Sequence, residues 1–208
     1  MKSTATLVVI VMCSLVSIAS AQSLDQPVGK WVKRSPLPGG PPSPRMGYET
    51  STAYDPLHKR LIRWAGHNQG GGGEQNAELW TFDLRTGKWE LKHPNRRPPG
   101  ACCNQQNVFD LTANRFIRFP AFSGSHGWQW FREVYLNNTS VWTYDLATNT
   151  WSGMHPIPAP RVRPLRCAAW DSDEEVVVLF GGEGGHDGTF TYDPYTNTWT
   201  KMNPKPQP

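Results

Sequence analysis

The sequence predicts an all-β repeat protein built from short antiparallel strands. Three observations support this prediction: a motif that recurs three times, a high content of turn-forming residues, and a lack of helix-length amphipathic segments. Glycine and proline number 19 each in 208 residues, about 9% apiece, against average shares of about 7% and 5%. Short strands joined by many turns have this composition.

The recurring motif begins with an aromatic residue, has Asp three positions later, continues with a Thr-Gly or Thr-Asn turn, and closes with Trp. Its copies span residues 80–89, 142–151 and 190–199. The closing tryptophans, Trp89, Trp151 and Trp199, lie 62 and then 48 residues apart, which exceeds the period of most helical repeats. Each copy predicts a hairpin of two strands, c and d, because Gly or Asn stands where the turn needs a left-handed residue.

Two further strands precede each hairpin. Strand a ends at Tyr54-Asp55, Phe109-Asp110 and Trp170-Asp171, and a polar turn follows each time. Strand b is strongly apolar and covers Leu61–Gly66, Phe116–Ala121 and Val176–Gly182. Such continuous apolar runs predict strands that are buried on both faces. Every unit is therefore expected to form one four-stranded antiparallel sheet.

The third unit, Val176–Gly182 followed by the motif at 190–199, resembles a kelch repeat of the galactose oxidase-like superfamily. The resemblance covers residues 29–204 and implies a partial kelch-type β-propeller of about three four-stranded antiparallel blades, at about 42–94, 97–156 and 160–204. A lone d strand is expected at 29–36, because Gly29-Lys30-Trp31 matches Gly87-Lys88-Trp89. Propellers typically close with four to eight blades. We therefore expect a truncated or fragmentary chain with missing blades, or a chain that self-associates or takes blades from a partner.

The first 21 residues are typical of a secretory signal peptide. Lys2 precedes the apolar run Leu7–Ile18, and Ala19-Ser20-Ala21 supplies the small residues of a cleavage site. The mature chain is then 22–208, and its expected location is secreted or periplasmic. The apolar run is shorter than the ~20 residues of a membrane helix, so no membrane span is expected.

The composition argues against two classes of ligand. The formal net charge is only +4, which is too small an excess to indicate nucleic-acid binding. The glycine run at 70–73 lacks the Gly-Lys-Ser/Thr ending of a phosphate-binding loop. We expect no nucleic acid and no cofactor.

The loops between strands b and c are the expected place of function. They share one face with the d-to-a linkers, and their lengths to the hairpin motif are 14, 21 and 8 residues. Binding residues gather on such variable loops of a rigid scaffold. The candidate ligand-binding residues on this loop face are His67, Asn68, His126, Trp128, Trp130, Arg132, His186 and Asp187.

The loop aromatics and histidines have two interpretations each. Trp128 and Trp130 either stack on a sugar or grip a protein partner, or they fold back as a local hydrophobic patch. His67, His126 and His186 could ring the channel mouth, yet they lack the tight spacing of a metal-ligand motif. We therefore predict no metal site.

Two arginines, Arg45 and Arg161, occupy aligned positions in the linkers at the channel mouth. They either bind carboxylates of acidic sugars or peptides, or they join neighbouring blades by hydrogen bonds.

Cysteines and sequons leave two further questions open. The mature chain has three cysteines, Cys102, Cys103 and Cys167, an odd number that leaves at least one thiol outside any intrachain disulfide. Asn137 and Asn138 begin overlapping glycosylation sequons.

The leading functional interpretation is a secreted binding or interaction module for carbohydrate or protein ligands. The alternative is a carbohydrate-active enzyme of the superfamily that the chain resembles, a sugar epimerase or oxidase. The spacing reveals no nucleophile–base pair and no carboxylate pair, so the catalytic residues of such an enzyme are unknown. The copper oxidases of that superfamily imply a His and Tyr copper site with a Tyr–Cys crosslink, and no motif here predicts such a set.

Overall fold

A computed structural model of the chain describes residues 29–31, 44, 50–67, 75–98, 107–119, 141–160, 166–181 and 188–205. In these ranges the protein is all-β, with three four-stranded antiparallel sheets that we call blades 1, 2 and 3. Blade 1 comprises β1 (Ser51–Asp55), β2 (Arg60–His67), β3 (Gln75–Asp83) and β4 (Lys88–Lys92). Blade 2 comprises β5 (Asn107–Asp110), β6 (Arg115–Arg118), β7 (Trp142–Asp145) and β8 (Thr150–Gly153). Blade 3 comprises β9 (Arg166–Asp171), β10 (Val176–Gly181), β11 (Thr189–Asp193) and β12 (Thr198–Met202).

Each blade is a meander in which strands adjacent in sequence are hydrogen-bonded neighbours. The first strands of the blades, β1, β5 and β9, lie side by side, with β5 in contact with both others. These are the inner strands, and the predicted order a, b, c, d within each unit is confirmed.

The recurring Asp residues close the turns. In the a-to-b turn of blade 1, Asp55 Oδ1 accepts hydrogen bonds from the backbone N–H groups of Leu57 and His58, both at 3.0 Å. In every other a-to-b and c-to-d turn of the described chain, the equivalent Asp accepts hydrogen bonds in the same way from the backbone N–H groups two and three positions later. Such Asx turns explain why the sequence repeats Asp at the end of strands a and c.

A left-handed residue follows four positions after each of these Asp residues. In the c-to-d turns it is Gly87, Asn149 or Asn197, as the motif predicts. In the a-to-b turns it is Lys59, Asn114 or Glu175, with φ of 56°, 53° and 54°. The hydrogen bonds of the preceding Asp hold this conformation even where the residue is not one that favours it.

Two hydrophobic cores lie between the blades. We call the side of a blade that faces the next blade in sequence its front face, and the opposite side its rear face. The front face of blade 1, with Ile62 and Trp64, packs on Phe116 and Trp151 of the rear face of blade 2. The second core joins the front face of blade 2 to the rear face of blade 3, through Val108, Ile117, Phe119, Val177 and Tyr192.

One aromatic contact recurs in both cores. Trp64 of β2 packs against Trp151 of β8 with ring centroids 5.0 Å apart, and Phe119, just after β6, packs against Trp199 of β12 at 5.7 Å. The closing Trp of the second and third motifs is therefore the partner of an aromatic residue from the preceding blade. Edge-to-face geometry of this kind adds to the stabilisation from burial alone.

Strand b is buried on both faces in only two of the three blades. In β2 and β6 the central residues are all buried, including Arg63 and Arg118. In β10, Val177 and Leu179 are buried but Phe180 is 39% exposed, so the prediction of two buried faces is wrong for this strand. The reason is that no described sheet lies against the front face of blade 3.

The N-terminal expectations concern residues that are mostly outside the described ranges. Residues 29–31 are described and irregular, with Trp31 fully exposed, while 32–36 of the expected lone d strand lie outside, as does the expected signal peptide. Both therefore stay predictions. Where the chain is described, it contains no helix with the length and apolar character that crossing a bilayer requires.

We expect Trp64→Ala to lower the free energy of unfolding by about 3–5 kcal/mol, because it empties the centre of the first core. Urea denaturation of the two proteins measures this loss. Trp31→Ala is the matched control and should change stability by less than about 0.5 kcal/mol, since the side chain is fully exposed. Equal effects of the two substitutions would contradict the assignment of the core.

Candidate functional site

Almost all of the predicted site residues lie outside the described part of the chain. This holds for Asn68, His126, Trp128, Trp130, Arg132, His186, Asp187, Arg45 and Arg161, and also for Cys102, Cys103, Asn137 and Asn138. His67 ends β2, where its backbone is opposite Gln75. Cys167 of β9 is an exposed free thiol. The loop face therefore stays a prediction, and the described residues include no cluster of metal-ligating side chains.

An open depression of about 400 Å³, which we call the cavity, lies between the inner strands of the three blades. Its walls come from β1, β5, β9 and the turns that follow them: Ala53, Tyr54, Pro56, Asn107, Val108, Phe109, Leu111, Ala168, Ala169, Trp170 and Ser172. The volume is within the range of small-ligand sites. Because Pro56, Leu111 and Ser172 belong to a-to-b turns, the cavity reaches the end of the blades opposite the predicted loop face.

The described walls of this cavity have several small side chains and no charged ones. Ala53, Ala168 and Ala169 stand on inner strands, where larger residues would fill the space between blades. Among the described residues, none of the lining side chains carries a formal charge. The site is thus suited to an uncharged ligand that contacts both apolar and hydrogen-bonding groups.

Asn107 supplies an unsatisfied amide at this cavity. Its side chain is only 8% exposed, and neither Oδ1 nor Nδ2 has a hydrogen-bond partner among the described residues. The buried indole Nε1 of Trp170, another lining residue, is also without an acceptor among them. Leaving a buried polar group unpaired costs about 1–3 kcal/mol, and a native protein that retains such a group calls for an explanation.

A buried guanidinium lies beside Asn107. Arg118 of β6 is opposite Asn107 in the β5–β6 pairing and is completely buried. Burial lowers the pKa of Arg118 to about 9, so the group is still protonated near neutral pH.

Tyr–Asn pairs join blades 2 and 3 to the chain segment that precedes each of them. In blade 2, Tyr144 Oη donates to Asn149 Oδ1 at 2.6 Å, and Asn149 Nδ2 donates to the carbonyl of His93 in the linker after blade 1 at 3.2 Å. In blade 3, Tyr192 Oη donates to Asn197 Oδ1 at 2.8 Å, and Asn197 Nδ2 donates to the carbonyl of Met154 at 2.7 Å. Burial raises the pKa of both phenols, so these donors keep their protons.

We expect Asn197→Ala to lower the free energy of unfolding by about 2–4 kcal/mol, since it removes two hydrogen bonds and leaves Ala at a positive φ. Asn197→Gly should cost less, about 1–2 kcal/mol, because glycine tolerates that φ. Chemical denaturation of the two variants separates the backbone effect from the hydrogen bonds. A glycine variant as stable as the original protein would show that the side-chain bonds contribute nothing.

Comparison with known families agrees with this architecture. The family model described as the KLHDC2/KLHL20/DRC7 Kelch-repeats domain matches residues 23–208, which include all three blades. Three four-stranded antiparallel sheets are what kelch blades require. The chain therefore belongs to the kelch-repeat family, whose propeller domains are protein-interaction modules.

Proposed function

We propose that this protein-interaction module binds a short, extended and uncharged peptide segment of a partner protein in the cavity between its inner strands. The observation that supports the proposal is Asn107, a buried amide without a partner among the described residues, at the wall of a cavity of ligand size. A fold that retains an unsatisfied amide loses stability, and a ligand that satisfies it regains that free energy on binding.

A peptide group is the natural complement of this amide. Asn107 offers one acceptor and two donor hydrogens, and a peptide group offers a carbonyl and an N–H at matching spacing. Trp170 Nε1 provides a further donor to a carbonyl. Charged ligands such as phosphates or acidic sugars would find no charged side chain on the described walls.

The apolar walls would bind the side chains of the segment. Val108 and Phe109 form the floor and are buried, whereas Leu111 and Tyr54 are exposed at the a-to-b end. Exposed apolar side chains therefore lie at the a-to-b end, where a ligand would enter the cavity. Because the Tyr–Asn pairs hold the blades in position before binding, little conformational entropy is lost when the segment docks.

We also propose that the module acts outside the cytoplasm, on the basis of the signal-like residues 1–21. Expression in a secreting host, followed by N-terminal sequencing of the exported protein, should give Gln22 as the first residue. A product that stays in the cells with residues 1–21 attached would contradict export.

Asn107→Leu tests the peptide site. The substitution replaces the unsatisfied amide by an apolar group of similar size, so we expect the free energy of unfolding to rise by about 1–3 kcal/mol. Peptides selected by the unaltered protein from a displayed random library should bind the variant at least about tenfold more weakly, because one or more hydrogen bonds to the ligand are lost. Calorimetric titration measures the affinity and urea denaturation measures the stability.

Asn95→Leu is the matched control, since Asn95 is exposed in the linker between blades 1 and 2. It should change neither peptide affinity nor stability appreciably. A lower stability of Asn107→Leu with unchanged peptide binding would mean that the amide has a structural partner and that the proposal is wrong. Selection of glycans but not of peptides by the unaltered protein would also contradict it.

A further inference from the structure

The rear face of blade 1 has the residues of an interblade face, and although Phe82 is buried there, three others are more exposed than their counterparts in blade 2. Tyr54, Leu61 and Trp89 stand at the positions of Phe109, Phe116 and Trp151 in blade 2. The blade 2 residues are all buried against blade 1. In blade 1, Tyr54 is 43% exposed and Leu61 and Trp89 are only half-buried.

The front face of blade 3 likewise has an aromatic residue at an interblade position that is not buried. Phe180 occupies the position of Trp64 and Phe119, which are 0% and 2% exposed and pack on the closing tryptophan of the next blade. Phe180 is 39% exposed. The two faces thus carry the two halves of the recurring aromatic contact, Phe180 on blade 3 and Trp89 on blade 1.

Charge is complementary at the same two faces. Where blade 2 meets blade 3, Thr112 Oγ1 donates to Glu175 Oε1 at 3.0 Å. Thr112 is two residues after the turn Asp of its blade, and Glu175 is four residues after that of the next blade. The corresponding pair for blade 3 followed by blade 1 is Asp173 and Lys59, which have opposite charges and are both exposed.

A second polar contact between blades 2 and 3 also has equivalent residues of opposite charge on blades 3 and 1. Tyr195 in the c-to-d turn of blade 3 donates from Oη to Asp110 Oδ1 of blade 2 at 3.3 Å. The positions equivalent to Tyr195 and Asp110 are Arg85 on blade 1 and Asp171 on blade 3. These two also have opposite charges, so the two contacts described here would become ion pairs where blade 3 meets blade 1, with Arg85 leaving its bond to the His58 carbonyl.

We propose that the front face of blade 3 docks on the rear face of blade 1 of a second copy of this chain. Two copies related by a two-fold axis then make two identical junctions, and their described blades form a closed ring of six. Six is within the usual four to eight blades of a propeller, whereas three copies would give nine. Formation of the first junction makes the second one intramolecular, which favours the closed dimer over open chains.

The junction between copies differs from the interior ones in one hydrogen-bonding element. Blade 1 has Phe82 and Gly87 where blades 2 and 3 have the Tyr–Asn pair. The bond from Asn to the preceding blade is therefore missing, and ion pairs take a larger share of the attraction. Because salt screens ion pairs, the dimer should dissociate more readily at high ionic strength.

Sedimentation velocity of the full chain over a range of concentrations tests the inference. We expect a species of twice the chain mass that dissociates on dilution. Lys59→Glu and Asp173→Lys should each raise the dissociation constant at least about tenfold, since each replaces attraction by repulsion at both junctions. The double variant with both substitutions restores opposite charges and should regain most of the affinity.

Two further variants distinguish this junction from nonspecific association. Phe180→Ser should weaken the dimer, because it removes the aromatic contact with Trp89. Lys201→Glu is the charge control and should leave the dimer unchanged, because Lys201 is on the outer strand of blade 3 and shares the rear face with Phe190. If the chain sediments as a monomer at all concentrations, the two faces do not bind a second copy and the inference is wrong. Polymers of unlimited mass, or single charge variants that dimerise normally, would also overturn it.

Discussion

Packing of one blade on the next is the interaction on which the rest of the structure depends. A four-stranded antiparallel sheet has two faces and cannot cover either of them by itself. Blade 2 has a neighbour on both sides, and all four residues of β5 are buried. The outer blades have one described neighbour each, and their burial decreases toward the uncovered side. Stability in such a protein is a property of junctions more than of single sheets.

The fold was predictable because its signals are local. Asp at the end of strands a and c makes hydrogen bonds within three residues of itself, so its spacing in the sequence reports directly on turn geometry. Trp151 and Trp199 recur at the same place in the motif because both pack between two blades. The exposure of Phe180 was not predictable, since burial depends on what lies against the strand and not on the strand's own composition.

The cavity was not predictable for a related reason. Ala53, Ala168 and Asn107 look like ordinary strand residues, and only the convergence of three inner strands turns them into walls of one space. Whether an asparagine has a hydrogen-bond partner depends on its three-dimensional surroundings, so no pattern marks Asn107. The one available signal is its place directly before Val108 and Phe109 in strand a, where a polar side chain adjoins apolar ones. Sequence reasoning instead emphasised the variable loops, whose residues lie outside the described ranges.

The replacement of the Tyr–Asn pair by Phe82 and Gly87 in blade 1 has a consequence for how chains are kept from mixing during folding. Repeats that were identical could exchange places, with blade 1 of one chain inserted between blades 2 and 3 of another, as in domain swapping. A blade with Gly87 cannot make the bond to Met154 that Asn197 makes, so such an insertion is less stable than the correct neighbour. The loss of this one hydrogen bond therefore favours the native order of the units over the swapped one.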